Sequence, residues 1–80
     1  MEIPNGWEIG EEYEDRILID NTKWTKERNT EYTLDIIKQK DNIWKVLVLW
    51  DGDCIQSEKH PTKEKAIQAA INYMEQNQDP

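Results

Sequence analysis

The stretch Ile43-Trp44-Lys45-Val46-Leu47-Val48-Leu49-Trp50, running directly into Asp51-Gly52, decides the fold. Read with a period of two, it sets Trp44, Val46, Val48 and Trp50 on one side of an extended strand. Ile43, Lys45, Leu47 and Leu49 fall on the other side. Asp-Gly is a favoured pair for a type I′ hairpin turn, whose two central residues both need positive φ. The chain is therefore expected to return antiparallel from Asp53 to about Lys59.

Moving upstream, Tyr32, Leu34 and Ile36 alternate with Thr33, Asp35 and Ile37, the pattern of a second half-buried strand. Lys40-Asp41-Asn42 supplies turn residues between the two, closing a three-stranded meander over residues 31–59. Arg16 to Asp20 (Arg-Ile-Leu-Ile-Asp) is a further short β-type run, ended by Asp20-Asn21. Residues 21–30 read as a polar loop with room for a short strand around Trp24. Downstream, Pro61 stops the last strand and Thr62 is placed to cap a helix with its hydroxyl. Ala66, Ile67, Ala70, Ile71 and Met74 then recur at spacings of three and four, which makes one apolar stripe. Lys63, Glu64, Gln68, Asn72 and Glu75 lie opposite, so a helix is expected over 62–77, fraying at Asn77 with Pro80 unable to continue it. The expected fold is α+β: one domain over 1–80, a four- or five-stranded, mainly antiparallel sheet with one C-terminal helix on one face. Residues 1–30 form an acidic N-terminal segment with short strands.

The central strand is apolar on both faces, and one helix covers only one. A three-residue loop at Lys40–Asn42 pairs Tyr32, Leu34 and Ile36 with Trp50, Val48 and Val46; a two-residue loop pairs Leu34 and Ile36 with Leu49 and Leu47. A slip of one residue exchanges the faces, and both registers stay open at this point. Either way, large apolar groups remain on the second face. They call for cover by the N-terminal segment (Trp7, Ile9, Ile17, Ile19), by a second copy of the chain, or by a partner.

Composition narrows the class. With 80 residues, the chain must build its core from few large side chains, and four tryptophans and three tyrosines stand in for absent phenylalanine. A single cysteine, Cys54, permits no intrachain disulfide, which points to a reduced, cytoplasmic setting. Met1-Glu2-Ile3-Pro4 does not open like a signal peptide. The longest apolar run, Val46 to Trp50, falls far short of the roughly 20 residues that span a bilayer, so no membrane role is expected. Net charge is −7, and residues 1–20 hold seven acids (Glu2, Glu8, Glu11, Glu12, Glu14, Asp15, Asp20) against Arg16 alone. Such a segment repels nucleic acid and suits either solvent or a basic partner.

Little in the chain suggests catalysis. Cys54 and His60 are the only candidates for a nucleophile–base pair, and an unbroken strand holds them about 20 Å apart on one side, far beyond hydrogen-bond reach. Cys54 reads instead as a small core or sheet residue. One His and one Cys do not make a zinc site. Asp51-Gly52-Asp53 lacks the ligand spacing and terminal Glu of a calcium loop. The pairs Glu11/Glu12 and Glu14/Asp15 have no evident pocket to set their ionisation apart. Gly6, Gly10 and Gly52 stand singly, so there is no phosphate-binding loop. No enzyme, metal or cofactor is expected.

Two resemblances add to this reading. Thr62-Lys63-Glu64-Lys65-Ala66-Ile67-Gln68-Ala69-Ala70 resembles the start of the last helix of double-stranded-RNA-binding domains, which follows a three-stranded meander and carries a Ser-Lys-Lys-x-Ala-Lys-x-x-Ala-Ala type run. The resemblance implies that Lys63 matches a phosphate-contacting lysine and that Ala66, Ala69 and Ala70 are packing alanines. Glu64 and Ile67 stand where that family has lysines, and no first helix precedes the sheet. Residues 43–76 are also similar to small uncharacterised bacterial and archaeal domains with a strand–strand–strand–helix layout, which implies a fold and no activity. The leading expectation is a non-catalytic interaction module. It binds a protein partner or itself through the apolar sheet face away from the helix, with Trp24 and Trp50 as anchors and Glu11, Glu12, Glu14 and Asp15 as a steering surface. Two alternatives are nucleic-acid binding through Lys59, Lys63 and Lys65, which the acidity opposes, and an acidic inhibitor that imitates a nucleic-acid backbone.

Overall fold

In the computed structural model, which describes residues 1–78, Asp51 and Gly52 take φ values of 48° and 87°. These left-handed angles turn strand β4 (Trp44–Trp50) back into β5 (Asp53–His60). At the other end of β4, Asp41 and Asn42 also adopt positive φ, 63° and 59°. Gln39 N–H donates to the Ile43 carbonyl at 2.6 Å, closing the loop around Lys40–Asn42. This three-residue loop selects between the two registers: β3 (Tyr32–Lys38) pairs with β4 through Tyr32↔Trp50, Leu34↔Val48 and Ile36↔Val46. Two further strands, β1 (Trp7–Glu12) and β2 (Arg16–Asn21), complete a five-stranded antiparallel sheet in the order β1-β2-β3-β4-β5.

Helix α1 (Lys63–Gln76) lies across one face. Thr62 caps it, its Oγ1 accepting from Lys65 N–H at 3.1 Å. Ala66, Ala70 and Met74 are fully buried against Tyr32, Leu34, Ile36, Val46 and Val48 of the sheet, with Trp7, Ile17, Ile19 and Trp44 around them. Methyl-sized side chains at two successive turns let the helix backbone approach the strands closely. Burying each of the larger side chains stabilises the fold by about 1.5–3 kcal/mol. The expectation for Pro80 lies outside the described residues.

Three local readings need correction. The N-terminal segment does not fold back over the second face: β1 and β2 extend the sheet sideways, and Trp7, Ile17 and Ile19 join the helix-covered side. The segment near Trp24 is not a strand but a π-helical turn, Thr22–Glu27. Asn21 starts it, its Oδ1 accepting from the N–H groups of both Lys23 and Trp24 at 3.0 Å. Strand β5 carries an irregularity at Ile55, because Val48 pairs with Gln56 whereas Leu49 pairs with Cys54. That extra residue inverts the alternation, so Cys54 and His60 fall on opposite faces rather than the same one. Of the two readings of Cys54, core or sheet residue, the second holds: it lies in β5 and is exposed. Among the described residues, no helix is long and apolar enough to cross a membrane.

Candidate functional site

Among the described residues, no element lies over the face of the sheet away from α1. Strand register builds it in three cross-strand rows. Glu8, Asp20, Thr33, Leu49 and Cys54 make the first; Glu11, Leu18, Asp35, Leu47 and Ser57 the second; Arg16, Ile37, Lys45 and Lys59 the third. Leu18, Ile37, Leu47 and Leu49 are half-buried, leaving a broken apolar stripe open across the middle. On the central strand, Thr33 and Asp35 are only 5% and 6% exposed although no element among the described residues crosses above them. The longer side chains of β2 and β4 therefore close over them from either side. The Thr33 hydroxyl is buried there without a hydrogen-bond partner among the described residues.

Charge on this face is sorted. Asp35 holds Arg16 in a two-pronged ion pair, Nε to Oδ1 at 3.0 Å and Nη2 to Oδ2 at 3.1 Å. The carboxylate keeps the guanidinium more firmly protonated than usual. At the β1 side, Lys26 reaches from the π-helical turn to Glu8 at 3.4 Å and Asp20 at 3.7 Å. Burial pushes the Asp20 carboxyl above its ordinary value; Lys26 offsets part of this, and Glu8 and Glu11 add to it. At the β5 side, Lys45 and Lys59 stand directly opposite each other and make no ion pair among the described residues. Two like charges facing across a strand pair are locally unfavourable, so this corner is set to receive negative charge.

The residues singled out from sequence are not on this face as a group. Trp50 follows Val48 and Val46 in alternation, which puts it on the helix side. There it packs edge-on against Trp24 at a ring separation of 5.0 Å and against Tyr32 at 5.5 Å. Arg28 covers the Trp24 ring at 4.6 Å. Both tryptophans are part of an aromatic cluster with Trp7, Tyr32 and Tyr73 that closes one end of the core. Glu11 and Glu12 end β1, and Glu14 and Asp15 form the turn into β2, so all four gather at one exposed corner. Glu14 and Asp15 line an open cleft of about 620 Å³ with Lys38, Trp44 and Lys63. Lys63 Nζ donates to the Glu14 carbonyl at 3.0 Å and sits 5.4 Å from the Trp44 ring centre. The three lysines named for nucleic acid therefore do not converge. Lys63 is tied down, Lys59 faces the opposite side of the sheet, and Lys65 is exposed on the helix.

No family model matches this chain, and neither does any curated protein or solved structure. Among the described residues, no three His, Cys, Asp or Glu side chains are placed to hold a metal ion. Sequence reading passed over Leu18, Arg16, Asp35 and Lys45 as parts of one surface. The signals were present singly: Leu18 stands within an apolar run, and Arg16 and Asp35 are opposite charges on apolar strands. Only the pairing Leu18↔Asp35↔Leu47 assembles them.

Proposed function

We propose that this chain is a non-catalytic interaction module that docks a protein on the open face of its sheet. The observation that carries this reading is the stripe of Leu18, Ile37, Leu47 and Leu49, held on three adjacent strands with no element above it among the described residues. The water-facing halves of these leucines and this isoleucine lose water contact only if something packs on them. The anchors on this reading are Leu18, Leu47 and Leu49, in place of Trp24 and Trp50, which are spent on the aromatic cluster. The carboxylates Glu11, Glu12, Glu14 and Asp15 border the face and steer its approach. The test compares wild type with Leu47→Lys/Leu49→Lys as bait in cross-linking and pull-down, with circular dichroism showing that the variant folds. Capture that depends on the two leucines supports the reading, and equal capture by both proteins removes it.

A further inference from the structure

We propose that Asn5 is a self-modification site: its side-chain amide reacts with the backbone nitrogen of Gly6 in the folded protein, and water then leaves aspartate or isoaspartate at position 5. Of the asparagines, only Asn5 precedes a glycine, whose nitrogen has no neighbouring side chain to block its approach. Asn5 is exposed, and it lines an open cleft of about 410 Å³ with Ile3, Ile71 and Glu75, so water reaches its amide. The turn around it is closed by one bond, Trp7 N–H to the Pro4 carbonyl at 3.3 Å. Neither the Asn5 carbonyl nor the Gly6 N–H makes a hydrogen bond among the described residues. The peptide plane between them can therefore swing, and glycine, resting here at φ 91°, accepts the backbone angles on either side of the swing. Asp51-Gly52 is the other sequence able to close the same ring. There Glu31 holds the plane, its Oε1 accepting from Gly52 N–H at 2.9 Å and its carbonyl from Asp51 N–H at 2.8 Å.

Water is the only co-reactant. The Gly6 nitrogen, after losing its proton to solvent, attacks Asn5 Cγ; the Cγ–Nδ2 bond breaks and Nδ2 leaves as ammonia, taking up a proton. Water then opens the cyclic imide, and nothing is oxidised or reduced. Attack at Cγ breaks the new bond to nitrogen and gives aspartate. Attack at the main-chain carbonyl carbon breaks the original peptide bond and gives isoaspartate, whose backbone runs through the former side chain and is longer by one methylene. Both products add a negative charge to an already acidic segment. Only isoaspartate disturbs the fold, because position 5 precedes a junction. The Gly6 carbonyl accepts from Thr22 N–H at 2.8 Å and from Thr22 Oγ1 at 3.0 Å. The Gln78 side chain packs over Gly6, and the Gln78 carbonyl is held by Asn21 Nδ2 at 3.0 Å. A longer backbone ahead of Gly6 widens the Pro4–Trp7 turn and loosens the start of β1 from these partners.

The test ages the full chain in neutral and in mildly alkaline buffer and follows position 5 by peptide mapping and by labelling with an isoaspartyl methyltransferase. The folded chain should convert within about tenfold of the rate of the same chain unfolded in guanidinium, since a single net hydrogen bond opposes the swing. Conversion should quicken with pH, because the Gly6 nitrogen must lose a proton. Asn5→Gln, whose larger ring closes far more slowly, should stay unlabelled, and so should Asp51 in the folded chain. A greater suppression by folding overturns the proposal, as does label that appears first at Asp51 or persists in Asn5→Gln. The isoaspartyl form, separated by ion exchange, should melt below Asn5→Asp, which carries the same charge on an unaltered backbone. Equal melting overturns the coupling to β1.

Discussion

The hydroxyls of Tyr32 and Tyr73 lie 2.9 Å apart, joining the fully buried start of β3 to the last turns of α1. Tyr32 also donates to the Asn77 carbonyl at 3.2 Å, so Tyr73 must be the donor to Tyr32. A relay of two protons thereby satisfies a helix-end carbonyl that has no partner within the helix. Tyr32→Phe breaks both links and should cost about 1 kcal/mol, since Tyr73 can turn to water but the Asn77 carbonyl loses its donor. Tyr73→Phe should cost less, because Tyr32 still reaches Asn77. Denaturant titration checks the ranking, and amide exchange should speed up in the last helical turn for the first variant only.

The two faces of the sheet should respond differently to the same truncation. Leu34 is fully buried under α1, whereas Leu47 is half-buried on the open face. Leu34→Ala is expected to cost about 3 kcal/mol, the usual figure for a core leucine, and Leu47→Ala about 1 kcal/mol or less. For a domain of this size the first is a large share of the total stability, which is of order 4–12 kcal/mol. Equal losses at low protein concentration would mean that the open face is covered after all.

The β4–β5 turn isolates a purely conformational cost. Gly52 has φ of 87°, and a methyl group there would touch nothing within 4 Å. Gly52→Ala should therefore destabilise by about 1 kcal/mol through backbone strain alone. The bond from Gly52 N–H to Glu31 Oε1, 2.9 Å, is available to either residue. A loss well above this would show that the hairpin also nucleates folding, which refolding rates would reveal.

Arg16 and Asp35 supply a fourth expectation. The Asp35 side chain is 9% exposed and its partner guanidinium 42%. Removing Arg16 strands a nearly buried carboxylate, so Arg16→Ala should cost about 1–2 kcal/mol, less than a fully buried pair would because solvent screens the guanidinium side. Asp35→Asn should cost less than Arg16→Ala, since it leaves no buried charge behind. The reverse order, measured by denaturation near pH 7, would contradict the assignment of Asp35 as the dependent partner.

Much of this architecture was legible from alternation. Trp44 to Trp50, Asp51-Gly52 and the Ala66–Met74 stripe each carry a local physical preference that the fold obeys. The register of β3 on β4 was not legible, because Lys40-Asp41-Asn42 can serve a two- or a three-residue loop. The choice rests on Asp41 and Asn42 both accepting left-handed angles. Strand β1 was hidden by its composition: Trp7-Glu8-Ile9-Gly10-Glu11-Glu12 has the charge of a solvated segment and a register shift where alternation should repeat. The open face was half legible. Its surplus of apolar groups followed from Leu47 and Leu49, but its members on β2 are brought in only by pairing across β3. Trp24 and Trp50 were misplaced for a related reason, since the register that buries Val46 and Val48 also turns Trp50 toward the helix.

Asp20 gives the fold a distinctive acid response. Its carboxyl is held above the ordinary value near 3.8, first by burial and then by Glu8 and Glu11, with Lys26 only partly compensating. Its Oδ2 also lies against the backbone of β1, where a methyl group on Gly10 would come within 2.7 Å of it. The folded state therefore holds this proton more tightly than the unfolded chain does. In the window above 3.8 and up to the raised folded value, the folded state binds more protons, so this group's contribution to stability falls as pH rises. Above that window the ionised carboxylate is a standing cost. Asp20→Asn removes the cost while Lys26 keeps Glu8 at 3.4 Å. The variant should melt at a higher temperature than wild type at pH 7, and the gap should narrow steadily as pH is lowered toward 4. Taking the difference between the two proteins cancels the other carboxylates, which titrate in both. A variant that is less stable at neutral pH, or a gap that does not change with pH, would show that the Lys26 contact outweighs burial at this position.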